Sequence, residues 1–173
     1  MSDSPLLPFA FKFGLGVVFL MVIHSLLLFI FDVQDVTWLQ YISYVIVIAG
    51  LIGAIKAYRD DQHGGSISYG QALGAGTMVS LVLSVFFGIY TYIFVKFIDP
   101  AVVDKIMERT EEAMIQQGQS DEAIETALRW TKAMTTPFMM AIWSNITYFV
   151  VGFIVSLMAS AFLKKEKQTG YST

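Results

Sequence analysis

Three polar side chains inside otherwise apolar stretches are the residues of this chain with most chemistry to offer. His24 can take up or release a proton, Tyr90 carries a phenol, and Asn145 offers both donors and an acceptor. Each lies seven residues from one end of its apolar run: His24 from Phe31, Tyr90 from Phe97 and Asn145 from Phe138. If the runs alternate in direction across a bilayer, these three ends share one face. Helical rise then brings the three side chains to a common depth of roughly 10 Å. A polar group in hydrocarbon is costly unless it is paired. The layer reads first as a hydrogen-bonded set that fixes helix register, with a proton or substrate relay as the alternative.

Other reactive constellations are weak. Asp60, Asp61 and His63 can together hold a cation, but neighbouring carboxylates on a Gly-rich loop are ordinarily a solvated turn. His24 and His63 belong to opposite membrane faces and cannot share a metal. Ser80 and Ser84 have no base near them in sequence. H-E-x-x-H, G-x-S-x-G, a phosphate loop and paired intramembrane aspartates do not occur. Cysteine is absent, so disulfides, thiolate metal sites and cysteine nucleophiles are excluded. The expectation is a protein that is not an enzyme and has no cofactor or metal. With no basic patch or stripe, nucleic-acid binding has no support either.

The elements that position these residues are four long apolar runs, Gly14–Phe31, Leu39–Ala57, Ala72–Phe97 and Phe138–Leu163. Each is long enough to cross a hydrocarbon core of about 30 Å. Lys56 and Lys96 sit only at run ends, and no Asp, Glu or Arg lies inside a run. Charged residues make up 14% of the 173 residues, where soluble domains carry about 25%, and the shortfall is concentrated in the runs. The fold class is therefore all-α: a polytopic membrane protein with four transmembrane helices, a single membrane domain over residues 1–173. Its lipid partner is the bilayer itself. The context Phe31-Asp32-Val33-Gln34 is a poor cleavage site, so the first run reads as a retained helix and not as a signal peptide.

Between the runs, Asp32–Trp38 is a short turn, and Trp38, Tyr41 and Tyr44 suit an interfacial aromatic belt. The longest connection, Ile98–Thr136, reads as an extramembrane amphipathic hairpin lying on the membrane or on the bundle ends. Val102, Val103, Ile106, Met107, Met114 and Ile115 recur at helical spacing. Gly118 is a stop, Ser120 an N-cap, and Ile124, Ala127, Leu128, Thr131 and Met134 mark a second helix that Pro137 interrupts.

Small residues recur every fourth position along three of the runs. The third has Ala72, Gly76, Ser80, Ser84 and Gly88; the second has Ala49, Gly53 and Ala57; the fourth has Gly152, Ser156 and Ser160. Such stripes let helix backbones approach closely in lipid. The third-run stripe is expected to be a packing seam within the chain, with a homodimer seam as the alternative. Val82 is expected to face lipid.

Cations crowd the helix ends on one side: Lys12, Lys56, Arg59, Lys164, Lys165 and Lys167. On the other side Lys96, Lys105, Arg109, Arg129 and Lys132 are spread through the acidic hairpin. This asymmetry favours both termini in the cytoplasm. The tail Lys164-Lys165-Glu166-Lys167 reads as a stop anchor, with docking to anionic lipid as the alternative.

The segments Lys56-Ala57-Tyr58-Arg59-Asp60, Gly65-Ser66-Ile67-Ser68-Tyr69-Gly70-Gln71-Ala72, Tyr92-Ile93-Phe94 and Phe97-Ile98-Asp99-Pro100 precede an acidic hairpin and a last apolar helix ending in Lys-Lys. Over about residues 40–165 this pattern resembles the bacterial membrane-protein family catalogued as domain of unknown function 4199. The resemblance implies a four-helix protein of the bacterial inner membrane and carries no catalytic residue. The function expected is that of an accessory or structural membrane protein, packing against itself as a homo-oligomer or against a membrane-protein partner. The alternative is a subunit of an oligomeric transporter or channel.

Overall fold

The structure, a computed structural model, describes residues 6–165. They fall into two units. One takes the chain up to Phe86 and from Thr147 onward; the other is Phe87–Ile146. Glu166 and Lys167 of the basic tail lie outside the described residues.

Helix α1 spans Leu6–Ile30 and so begins well ahead of Gly14. Lys12 interrupts the apolar pattern ahead of Gly14. A single lysine does not end a helix. Lys12 is exposed, with its ammonium 6.0 Å from the Phe13 ring centroid. Pro8 sits in the first turn, where its missing N–H costs no helical hydrogen bond. The helix stops at Asp32, whose φ of 53° is left-handed. Val33 N–H bonds Leu28 O and Asp32 N–H bonds Phe29 O, a Schellman closure with aspartate where glycine is usual.

The second run is one short turn, α2 (Thr37–Gln40), followed by α3 (Ile42–Ala57) and a π-helical turn at Tyr58–Gln62. Gly64 and Gly65 then take left-handed φ values of 59° and 83°, which glycine adopts without a Cβ penalty. Helix α4 (Tyr69–Ile93) starts with a capping box. Gln71 N–H donates to Ser68 Oγ, and Ser68 N–H donates to the Gln71 side-chain oxygen. The third run ends in a π-helical turn, Phe94–Ile98. The last helix, α7, spans Pro137–Leu163.

The core of the first unit is made by Met21, Val47, Leu51, Ile55, Val79 and Leu83, together with four buried serines, Ser80, Ser84, Ser156 and Ser160. Helix α4 is the most enclosed span: 44% of its apolar window is buried, against 22% in each of the other three. Beyond α7, Lys165 and Ile67 exchange two backbone hydrogen bonds of 2.9 and 2.8 Å. This small antiparallel bridge ties the chain after α7 to the loop before α4.

The second unit carries the hairpin, α5 (Val102–Gln116) and α6 (Asp121–Met134). Gly118, at φ 70°, closes α5 in a Schellman motif, and Ser120 Oγ accepts from Ala123 N–H. Both local signals read from the sequence are met. Val102, Val103, Ile106, Ile124, Leu128 and Thr131 are half-buried, and no residue of either helix is fully buried.

Candidate functional site

The small-residue stripe of α4 faces inward in the first unit and meets α7 there. A Cβ added at Gly76 would lie 2.5 Å from Ser156 Oγ and 2.9 Å from Ile55 Cδ1. One added at Gly152 would lie 2.5 Å from Ser80 Oγ. Each glycine is thus a notch for the serine opposite. Each serine in turn donates to its own helix: Ser80 Oγ to Gly76 O at 2.8 Å, and Ser156 Oγ to Gly152 O at 2.7 Å. Hydroxyls bonded back to the i−4 carbonyl leave no donor unpaired in hydrocarbon. Ser84 is also buried and donates to Leu81 O. In the second unit Gly88 continues the stripe. A Cβ there would lie 3.1 Å from Ala141 O and 3.4 Å from Asn145 Cβ.

Two expectations about helix faces are corrected. Ala49 and Gly53 of α3 are exposed, and open space surrounds Gly53. The close approach on α3 is made one position away, where a Cβ at Gly50 would collide with Val17. Val82 does not face lipid. It is buried, and a Cβ on Gly14 would lie 2.8 Å from its Cγ1. The spacing announced close packing, but a neighbour's shape selected the face.

His24 is half-buried on α1, and its Nδ1 lies 3.1 Å from Ser43 Oγ on α3. Ser43 is also hydrogen-bonded to Tyr148 of α7, whose ring packs 5.9 Å from that of Tyr44. Three helices of the first unit therefore share a polar cluster, His24–Ser43–Tyr148. The buried His24 Nε2 has no hydrogen-bond partner among the described residues. Ser43 and Tyr148 were missed in the sequence because serine and tyrosine are ordinary in such runs. Tyr90 and Asn145 belong to the second unit. Tyr90 packs between Phe87 and Phe94 at 5.5 and 5.7 Å, and Asn145 lies against Gly88. Near them Thr91 Oγ1 donates to Ser144 Oγ at 3.1 Å, a link between α4 and α7 that the sequence reading also missed.

The second loop forms a cleft of about 530 Å³ lined by Gln62, His63, Ser66, Ile67, Ser68, Gln71 and Lys165. His63 Nδ1 is 3.3 Å from Tyr58 O, and the Tyr58 ring meets that of Phe9 edge-on at 4.9 Å and that of His63 at a tilt at 4.7 Å. Asp60 is paired with Arg59 at 2.7 Å. Among the described residues no three His, Asp or Glu side chains are placed to hold a metal ion.

These features define an all-α polytopic membrane protein with four helices long and apolar enough to cross a bilayer. The family described as protein of unknown function (DUF4199) matches residues 9–165. The chain belongs to that family, and the match takes in the first helix as well as the segments from residue 40 onward. No curated protein and no solved structure matches it.

Proposed function

We propose that this chain is an accessory or structural protein of the membrane, working by helix packing with a second copy of itself or with a membrane-protein partner. The glycine–serine interlock of Gly76, Ser80, Gly152 and Ser156 carries this reading. It brings two helix backbones together and fills the space that a path along that seam would need. In this reading the protein performs no catalysis. It resides in the inner membrane of a bacterium with both termini in the cytoplasm, as the crowding of Lys56, Arg59 and Lys164 at helix ends supports. A reporter active only outside the cytoplasm is then active when fused after Gly118 and silent after Gly64; the reverse pattern overturns the orientation. For the function, crosslinking from the Ile98–Thr136 hairpin in native membranes is expected to capture a stoichiometric partner or a second copy. Recovery of neither sinks the proposal.

A second reading, a subunit of an oligomeric transporter or channel, is favoured by the unpaired His24 Nε2 beside Ser43 and Tyr148. Four helices rarely enclose a path alone, so it requires an oligomer. Ion flux in liposomes that His24→Leu abolishes would establish this reading over the first.

A further inference from the structure

The loop cleft has a hydrogen-bonding polarity that can be worked out atom by atom. Ser68 N–H lies 3.0 Å from the Gln71 side-chain oxygen, and a backbone N–H only donates. The amide of Gln71 is therefore oriented oxygen-inward, and its Nε2 hydrogens are left over. Gln71 N–H donates to Ser68 Oγ, so the hydroxyl of Ser68 keeps its own hydrogen. The capping box consumes acceptors and leaves donors. His63 Nδ1 faces a carbonyl, Tyr58 O, which only accepts, so that nitrogen carries its hydrogen and the ring is held as a wall of the cleft. The backbone of Lys165 is committed to the bridge with Ile67, which pins its Cα beside the cleft and makes Lys165 the one cationic residue among the lining residues named. The nearby Asp60 carboxylate is held by Arg59 through both oxygens, at 2.7 and 3.2 Å, and the more distant charges of Lys56 and Lys165 also act on it. A cleft built from amide and hydroxyl donors around a lysine suits a ligand rich in anionic oxygen.

Its location narrows the ligand. The cleft joins the loop between the second and third spans to the chain just past Leu163, where α7 ends. It therefore lies where spanning helices leave the hydrocarbon, at the level of the headgroups, whichever way the protein is oriented.

We infer that this cleft is a binding site for a phosphate group, carried by an anionic phospholipid headgroup or supplied as free inorganic phosphate. Lys165 supplies the charge. Gln71 and Ser68, with Gln62 and Ser66 beside them, supply donors to the phosphate oxygens.

The test uses the full chain in detergent with equimolar phosphatidylglycerol and phosphatidylcholine, and retained lipid is read by native mass spectrometry. The wild type is expected to retain phosphatidylglycerol preferentially. Lys165→Gln should reduce that preference about fivefold, the equivalent of one lysine near an anionic surface. Gln71→Glu is the sharper variant. A glutamate still completes the capping box, so α4 should start as before, while the two donor hydrogens become an anionic oxygen. Its preference should fall at least as far, with an unchanged melting temperature. Should Gln71→Glu fail to fold, Lys165→Gln decides the matter, because the bridge to Ile67 needs only backbone. In a second arm, inorganic phosphate is added to delipidated protein. A rise in melting temperature that both variants lose identifies free phosphate as the ligand; phosphatidylglycerol preference without that rise identifies the headgroup. Absence of both responses in the wild type, or responses that both variants keep, overturns the assignment.

Discussion

Along the α4–α7 seam of the first unit, Ser80, Ser84, Ser156 and Ser160 are buried, and Gly152 and Gly76 receive Ser80 and Ser156. Along the α5–α6 hairpin of the second unit nothing is buried, and Trp130 remains 64% exposed although apolar residues recur at helical spacing. Both are antiparallel helix pairs, held by different physics. Lipid offers two helices little hydrophobic drive, so contact there depends on removing side-chain bulk until backbones meet. In water the apolar stripe itself drives pairing, but two short helices cannot enclose it. The seam therefore tolerates polar hydroxyls and forbids size, while the hairpin tolerates size and depends on turns and caps.

The largest effect that can break this contrast is steric. Gly76→Leu or Gly152→Leu should destabilise the protein by about 1–3 kcal/mol, the usual range for overpacking. Chemical denaturation in detergent measures it. Leu81→Ile, at a position 44% exposed, should be nearly silent. Equal tolerance at all three positions would mean that the seam is not the tight element.

A turn substitution probes the other side. Gly118→Ala places a Cβ at φ 70° and should cost about 1 kcal/mol. The loss should appear in hydrogen exchange of α5 and α6 and leave exchange of α4 unchanged. Protection lost along α4 as well would show that the hairpin and the seam unfold together.

A smaller effect is expected in the polar cluster. A double-mutant cycle of His24→Ala and Ser43→Ala should show coupling of about 0.6 kcal/mol, typical of membrane hydrogen bonds. Zero coupling would reduce the 3.1 Å approach to mere proximity.

The smallest is on the hairpin surface. Arg129 and Glu125 form an exposed i,i+4 pair at 2.9 Å, and their cycle should give only about 0.3–0.5 kcal/mol, vanishing at high salt. A coupling as large as the seam's would undo the contrast, because charge would then rival packing.

Much of the fold was legible because its causes are local. The span count follows from transfer of apolar residues out of water, and Gly118 and Ser120 mark the hairpin because positive φ and N-capping are single-residue properties. The α4 stripe at Gly76 and Ser80 was legible for the same reason, since absence of bulk is written in the residue itself. The cleft was not. Gln71 and Lys165 are nearly a hundred residues apart, and nothing local announces the bridge from Ile67 to Lys165 that brings them together.

What the sequence determined by itself is therefore the class, the four spans, the amphipathic hairpin and the family resemblance. Outside the α4 stripe, the tertiary structure alone decided which faces of the spans turn inward. Ala49 and Gly53 point outward although their spacing equals that of Gly76 and Ser80, Val82 points inward although it looked fit for lipid, and His24 pairs with Ser43. In a soluble helix the contrast between apolar and polar residues selects the buried face. In a bilayer, lipid tails are as apolar as the core, so that contrast is absent, and only the shape and hydrogen-bonding groups of the neighbouring helix can choose.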